Sequence, residues 1–196
     1  MKTIYIVLTH TGTILSNIIK TYTKDEFSHV SISLDEELND MYSFGRLLPY
    51  NPFWGGFVKE DIYSGTFKRF RKTKTAIFAV SVTEEQYMRI YYQIQQVQRE
   101  NYDFNVIGLF AIGFQKRIEM QHSFYCAEFV KYVLEQSGIP TNTPDMVRPE
   151  DFKQMPGITQ VYSGLLRNYP IAKKQRTTAL KNALLVATTS VKEKHV

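Results

Sequence analysis

Short strand-forming runs alternate with helical segments along this chain, which limits it to mixed α and β structure. β-branched and aromatic residues alternate at residues 3–9 and again at residues 75–82. Apolar residues then recur at helical spacing from residue 87 to residue 97, after a segment at residues 83–86 that resembles a helix capping box. The remaining predicted elements are strands at residues 28–34, 41–44, 67–71 and 159–162, a packed loop with a short helix at residues 102–114, and helices at residues 13–22 and 149–154.

A chain of 196 residues can bury one sizeable core but is short for two domains. We therefore expect one domain over residues 1–170. The basic segment 171–196 is expected to be a tail, either a loosely attached helix or disordered. Residues 47–65 are rich in Pro, Gly and aromatic side chains, which is typical of a long surface excursion beside a binding site.

The formal net charge of +5 comes partly from two basic segments, residues 68–74 and the chain after Pro170. A solvated charged face is the simpler interpretation, and weak attraction to anionic lipid, cell-wall polymer or nucleic acid is the functional one. The sequence lacks zinc-finger spacing, a basic-zipper pattern and an aromatic RNA-binding block, so no specific nucleic-acid partner is expected. Weak contact of the tail with an anionic membrane or polymer stays open.

Cys126 is the only cysteine, so the chain can form neither an internal disulfide, nor a CxxC redox pair, nor a cysteine metal cluster. A lone thiol fits a reducing compartment. The apolar run at residues 4–8 is too brief for a signal-peptide core or a membrane span. We expect a cytoplasmic protein whose chemistry needs no metal or cofactor.

Cys126 lies near the start of a predicted helix that is marked at both ends. Ser123 is a suitable N-cap, and Gly138 with Pro140 just beyond is typical of a helix end. In this register Cys126 lies in the first turn, where unpaired N–H groups and the helix dipole favour a thiolate. Cys126 is therefore a candidate nucleophile, and a small buried hydrophobic residue is the alternative interpretation.

A nucleophilic thiol needs a base, and His29 is the best placed histidine. On the predicted strand 28–34 it shares a face with Ser31 and Ser33, opposite the apolar residues, and so lines a cleft or meets solvent. The other histidines are His10, a possible base at the end of the first strand, His122, in a turn suited to capping or exposure, and His195, in the tail.

A third group usually fixes the imidazole tautomer. If the hairpin loop is centred near Glu36, position 43 lies across from His29, which makes Ser43 the geometric candidate. Serine is a weak orienter. An ordinary strand serine is equally plausible at this position, and a backbone carbonyl or a carboxylate linked to Arg46 are other possible orienters.

Two short motifs resemble the permuted branch of the NlpC/P60 papain-like superfamily, the YiiX-like or LRAT-like group. One motif is Phe27-Ser28-His29-Val30-Ser31-Ile32, similar to that family's Ser-His-Val strand. The other is Tyr125-Cys126-Ala127-Glu128-Phe129-Val130, similar to its aromatic-Cys-small-Glu helix start. The order of histidine before cysteine also agrees, and the order of elements is similar over residues 1–165.

The resemblance implies an α+β fold of the circularly permuted papain-like type, an antiparallel sheet or small barrel packed against helices. It implies a thiol hydrolase or acyltransferase acting on amide or ester bonds, with Cys126 as nucleophile and His29 as base. The Cys126 N–H, helped by Tyr125, would stabilise the oxyanion. Many relatives carry an acidic or amide residue, often Glu, where this chain has Ser43.

Three functions follow from these residues. The first is amidase- or peptidase-like hydrolysis of a small-molecule, peptide-like or acyl substrate through an acyl-thioester on Cys126. The second is a binding module of the same fold with little or no activity, which holds a lipid or peptide with the aromatic-rich residues 50–57. The third is a membrane-associated acyltransferase anchored by the basic tail.

Overall fold

An antiparallel sheet of six strands forms the framework of the protein. The computed structural model describes residues 1–13, 17, 24–48, 55–100, 102–105, 122–172, 174 and 176–180. The strands of the sheet are β1 (Lys2–His10), β2 (His29–Ser33), β3 (Met41–Arg46), β4 (Gly55–Glu60), β5 (Lys74–Val82) and, later in the chain, β8 (Ile158–Leu165). Their order is β4-β3-β2-β1-β5-β8, and each neighbouring pair is antiparallel. A separate parallel pair joins β6 (Asp103–Phe104) and β7 (Ser123–Phe124).

Two long helices pack on one face of the sheet. The α-helices are α1 (Gly65–Arg69), α2 (Glu84–Glu100) and α3 (Cys126–Gln136), and short 3-10 helices lie at Pro149–Gln154 and Leu166–Asn168. α2 and α3 share a core with alternate residues of β1, namely Ile4, Ile6 and Leu8. The expected α+β class, an antiparallel sheet packed against helices, is therefore confirmed.

The other face of the sheet is also covered. Tyr5 and Val7, which point away from α2 and α3, belong to a second core that includes Phe67 of α1 and Ala172. Full burial of one such apolar side chain contributes about 1.5–3 kcal/mol, so both faces stabilise the sheet. Residues 170–172, 174 and 176–180 are helical, whereas residues 181–196 lie outside the described residues.

α2 begins where the sequence predicts it to begin. The Thr83 N–H donates to Gln86 Oε1 (2.9 Å), and the Gln86 N–H donates to Thr83 Oγ1 (3.1 Å), which completes the predicted capping box. Ile90, Ile94 and Val97 are the buried residues of this helix. The predicted strands at the positions of β1, β2, β3, β5 and β8 and the short helix at Pro149–Gln154 are confirmed as well.

The helix of Cys126 begins later than expected. Ser123 is not its N-cap, because Ser123 pairs with Asp103 in the parallel β6–β7 pair. Tyr125 is the N-cap, and Cys126 is the first helical residue instead of the third. The predicted end is confirmed: Gly138 has φ +75°, and its N–H donates to the Glu135 carbonyl in the last turn.

Two segments differ from the sequence prediction. Residues 55–60, expected within a surface excursion, form β4 and pair with β3 along its whole length. Gly55 and Gly56 suggest a turn, but Phe57 packs its ring on Phe44 across the strand pair (6.1 Å between centroids). A strand was expected at residues 67–71, but residues 65–69 form α1, in which only Phe67 is buried, so the alternation has no sheet to face.

Several predicted features fall mainly outside the described residues. They are most of the helix at residues 13–22, most of the loop and helix at residues 102–114, the aromatic residues 50–54 and the end of the tail. In the described part of the chain, none of the helices combines the length and apolar character that crossing a bilayer requires.

One end of the sheet positions the candidate site. Thr9 of β1 pairs with His29 on one side and with Thr75 of β5 on the other, and Thr75 pairs with Gly164 of β8. The starts of β2 and β5 therefore lie beside the ends of β1 and β8. We refer to this edge as the His29 end of the sheet.

Candidate active site

Cys126 occupies the start of α3, close to the sheet. The residue is only 4% exposed, so its thiol lies within the protein body, as its register with the apolar face of the helix predicts. As the first helical residue, Cys126 has an N–H without an acceptor inside the helix. The Tyr125 N–H donates to Glu128 Oε2 (3.2 Å), which fixes the start of the helix. The positive end of the helix dipole lies at this residue.

His29 is the first residue of β2, and its ring is held by a carboxylate that the sequence prediction missed. The distance from His29 Nε2 to Glu60 Oε1 is 2.9 Å. The side chains are 18% and 10% exposed, so the contact is largely shielded from water. The Ser31 hydroxyl donates to the other Glu60 oxygen in a short hydrogen bond. Glu60 is thus positioned by two residues of β2 and bonds the imidazole directly.

Burial alone would lower the pKa of His29, because it disfavours the charged ring. The Glu60 carboxylate and the Cys126 side chain outweigh burial through their charges and hydrogen bonds, and they raise the pKa of His29 from 6.5 to about 10. The ring is then an imidazolium at neutral pH, flanked by two groups that carry or can carry negative charge. This is the environment in which a thiolate–imidazolium pair is stable.

This raised pKa predicts how stability depends on pH. The folded state holds the His29 proton more tightly than the unfolded chain does. The stabilisation is therefore complete below pH 6.5 and is lost as pH rises toward about 10. We expect the difference in unfolding free energy between the wild type and His29→Gln to shrink across this window in urea titrations. A difference that stays constant with pH would show that the ring is not charged in the folded protein.

Ser43 lies beside His29, but not in the predicted register. Ile32 pairs with Tyr42, and continuing this register places Gly45 across from His29 and Ser43 across from Ser31. The expected pairing of positions 29 and 43 is therefore wrong by two residues. Ser43 Oγ still lies 3.3 Å from His29 Nε2, a longer contact than that of Glu60.

Gly45 leaves room for the imidazole ring beside β3. A Cβ atom at this position would be 3.4 Å from His29 Cε1 and 3.4 Å from Ser43 Oγ. Both distances are at the short limit of ordinary contact, so a larger side chain would press on the ring. The absence of a side chain at Gly45 is thus part of how the ring is positioned.

Tyr125 directs its hydrogen-bond donors away from the thiol. Its hydroxyl donates to the Val147 carbonyl (2.9 Å), and its N–H donates to Glu128. Tyr125 is 2% exposed and Val147 is fully buried. These contacts connect the start of α3 to the chain before the 3-10 helix Pro149–Gln154. Both donors of Tyr125 are thus engaged with other acceptors in this structure, and its help to an oxyanion stays a prediction.

Replacing Tyr125 with phenylalanine tests this structural role. We expect the unfolding free energy to fall by about 1–3 kcal/mol, because the buried Val147 carbonyl loses its donor. The rate at which iodoacetamide alkylates Cys126 in the folded protein should change little. Urea unfolding and mass spectrometry measure the two quantities. A variant of normal stability with a strongly reduced alkylation rate would instead place Tyr125 in the chemistry.

The other described histidines lie in different surroundings. His10 Nδ1 is 3.3 Å from Ser28 Oγ. His122 Nε2 is 3.1 Å from the Glu100 carbonyl, and its ring stacks on Tyr102 at 4.0 Å between centroids. His195 lies outside the described residues. Cys126 is one of the groups that raise the pKa of His29.

No family model matches this chain. No curated protein matches it either. Among solved structures, the fold is similar to that of the metalloprotein yiiX from Escherichia coli O157:H7, with a TM-score of 0.54 and 14% sequence identity. The match covers 84% of this chain and 98% of that one. The likeness supports the expected YiiX-like arrangement at the level of the fold.

The description of yiiX as a metalloprotein raises the question of a metal in this chain. Within the described residues, no group of three or more His, Cys, Asp and Glu side chains is arranged to hold a metal ion. Glu60 already uses one oxygen on His29 and the other on Ser31. The described residues of the site therefore do not fit a metal centre.

Proposed function

We propose that this protein is a thiol hydrolase that cleaves amide or ester bonds through an acyl-thioester on Cys126. The observation that carries the proposal is the His29 ring, which bonds Glu60 and interacts with Cys126 at the start of α3. A nucleophile, a base and a group that orients the base are the three parts this chemistry needs. The fold shared with yiiX is compatible with the proposal.

The two ring nitrogens of His29 have separate roles in this mechanism. Nε2 bonds the Glu60 carboxylate, which leaves Nδ1 as the nitrogen for the sulfur. The proton of the thiol passes to Nδ1, so that the resting pair is a thiolate and an imidazolium. The Glu60 carboxylate stabilises the imidazolium, as the raised pKa of His29 requires.

Acylation begins when the sulfur attacks the substrate carbonyl carbon and a C–S bond forms. The carbonyl oxygen takes up the negative charge, and the Cys126 N–H at the start of α3 donates to it. Collapse of this intermediate breaks the bond to the leaving amine or alcohol, which takes the proton from Nδ1. The product of this half of the reaction is the acyl-thioester, with a neutral imidazole beside it.

Deacylation uses the same residues in reverse. Neutral His29 takes a proton from water as the water oxygen attacks the thioester carbon. The C–S bond breaks, the acid is released and the thiolate–imidazolium pair returns. An amine in place of water would give acyl transfer by the same steps.

Ser43 has a secondary place in this mechanism. Its hydroxyl lies near the same ring nitrogen as Glu60, but it carries no charge to stabilise the imidazolium. We therefore assign orientation of His29 to Glu60 and treat Ser43 as a neighbouring polar contact. In this proposal the acidic group beside the ring comes from Glu60 of β4, the strand next to β3.

The proposal is tested with a panel of p-nitrophenyl esters and aminomethylcoumarin amides of varied acyl length. Mass spectrometry of the intact protein during turnover should show an added acyl group. Because Cys126 is the only cysteine, a hydroxylamine-sensitive adduct identifies the thioester. Turnover without an adduct at Cys126, or with equal rates in Cys126→Ala, contradicts the proposal. An inert protein that binds these acyl compounds would favour the binding-module alternative.

A further inference from the structure

We infer that the His29 end of the sheet is a docking surface for a bilayer that contains anionic phospholipids. The inference goes beyond the proposed hydrolase activity and does not depend on it. It rests on three features of this end of the molecule: a cluster of exposed cations, exposed leucines at the same end of the sheet, and the position of both near the candidate site.

The cations come from α1 and the turn that leads into β5. We call them the basic turn, and its members, all exposed, are Lys68, Arg69, Arg71, Lys72 and Lys74. The sequence has no acidic residue between Asp61 and Glu84, so the segment carries a single sign of charge. Arg167, half-buried, adds a further cation after β8, and the Leu166 N–H donates to the Thr73 carbonyl of the basic turn. Positive charge is therefore concentrated on one side of the His29 end.

Strand pairing fixes the distance between the basic turn and the candidate site. His29 pairs with Thr9, and Thr9 pairs with Thr75, which adjoins Lys74. Neighbouring strands lie about 4.8 Å apart, so Lys74 begins about 10 Å from His29 along this end of the sheet. A surface that contacts the basic turn therefore also faces the region of His29 and Cys126.

Exposed leucines accompany the cations at this end. Leu47 and Leu48, which follow β3, are 46% and 53% exposed, and Leu165, which pairs with Lys74, is 38% exposed. A soluble polyanion gains nothing from leucines that stay in water. A bilayer offers phosphates to the lysines and arginines and an apolar layer to the leucines. The combination favours a lipid surface over nucleic acid or another dissolved polyanion.

The Phe70 ring supports this interpretation. It lies within the basic turn and has Arg69 over its face, with the guanidinium carbon 5.6 Å from the ring centroid. An aromatic ring with a cation beside it is suited to the boundary between lipid headgroups and acyl chains. The basic turn thus offers an apolar and a cationic contact from adjacent residues.

The test is co-sedimentation of the full chain with vesicles of phosphatidylcholine, alone or mixed with phosphatidylglycerol. We expect binding to the mixed vesicles that weakens in high salt. Arg71→Glu/Lys72→Glu should weaken binding roughly tenfold or more, since each cation near an anionic surface contributes separately. Leu48→Ser should weaken it several-fold. All of these side chains are exposed, so the variants should fold normally, which circular dichroism checks.

Two charge-matched controls make the test specific. Lys2→Glu/Arg89→Glu removes the same charge elsewhere, because Lys2 pairs with Val82 at the opposite end of the sheet and the exposed Arg89 lies in the first half of α2, which begins just after Val82. The second control, Lys174→Glu/Lys181→Glu, makes the same change of charge in the tail. Both controls should bind vesicles like the wild type. Equal loss in the controls, loss only in the tail variant, or binding of polyphosphate without binding of vesicles would each overturn the inference.

Binding can be measured without catalysis. Cys126→Ser should bind the mixed vesicles as the wild type does, because Cys126 is buried and lies outside the basic turn. Failure of the hydrolase proposal would therefore leave this result unchanged. Failure of vesicle binding would in turn leave the hydrolysis of dissolved esters unaffected.

Discussion

Replacing Glu60 with glutamine is expected to lower turnover by a factor of roughly 10² to 10⁴, because a histidine without its orienting carboxylate loses most of its contribution as general acid and base. The amide keeps the size of the side chain but removes the charge that stabilises the imidazolium. The pKa of His29 should fall, since the Glu60 carboxylate is one of the groups that raise it toward 10. The measurement is kcat/KM for an ester substrate as a function of pH.

Ser43→Ala is the matched control for this prediction. The Ser43 hydroxyl lies 3.3 Å from the same nitrogen that Glu60 contacts at 2.9 Å. Ser43→Ala therefore removes a polar contact to His29 without changing the charge of the site. We expect a loss in turnover of less than about tenfold. The reverse order, with Ser43→Ala severe and Glu60→Gln mild, would return the orienting role to Ser43. Turnover that is retained in Glu60→Asp but lost in Glu60→Gln would further separate the effect of the charge from that of packing.

Replacing Cys126 with serine is expected to lower turnover by a factor of at least about 10³ and to eliminate the acyl adduct. A hydroxyl is a far weaker nucleophile than a thiolate at neutral pH, and His29 in the charged form cannot accept its proton. Because the two side chains are nearly the same size, the unfolding free energy should change by no more than about 1–2 kcal/mol. Ester hydrolysis and urea unfolding measure the two effects.

The outcome of this substitution separates catalysis from packing. Cys126 is 4% exposed and belongs to the core between α3 and the sheet, so a purely structural role is a definite alternative. Cys126→Ala serves as the control, since it removes the sulfur without introducing a hydroxyl. Retained turnover in both variants would mean another nucleophile. Two unstable variants, with no adduct in the wild type, would support the structural role.

Locally encoded elements could be predicted from the sequence. The capping box of α2 depends only on Thr83 and Gln86, which are three residues apart. The end of α3 depends on Gly138, whose positive φ glycine adopts without strain. β1 and β5 are runs rich in β-branched and aromatic residues, which predict strands, and consecutive residues in both are buried, so both faces of each strand are covered. In these cases the residues that determine the structure are neighbours in the chain.

The hairpin register was missed because the geometry of its loop is not evident from composition. Leu34 donates its N–H to the Asp40 carbonyl, and Leu38 adopts a positive φ of 62°, so the loop is centred one position later than expected. A shift of one in the centre moves the partner of His29 by two residues. Because side chains alternate with period two, Ser43 stays on the face of His29 even in the shifted register.

Glu60 was missed because its contact with His29 is remote in the sequence. The two residues are 31 positions apart and come from strands that are separated by β3. The available signal was weak, because residues 57–60 are two apolar residues followed by two charged ones and do not alternate with period two. Gly55 and Gly56, which are more typical of a turn, concealed the strand further. The candidate pair of Cys126 and His29 could be proposed from local pattern and resemblance, whereas the orienting group required the assembled sheet.

The pH dependence of Cys126 alkylation tests the central claim most directly. Iodoacetamide reacts with thiolates, and an isolated cysteine, with a pKa of about 8.5, reacts slowly below neutral pH. We predict that the folded protein is alkylated at acidic pH much faster than a free thiol, and that His29→Ala abolishes this excess. Slow alkylation that follows the free-thiol profile, or fast alkylation unchanged in His29→Ala, would contradict a catalytic thiolate–imidazolium pair.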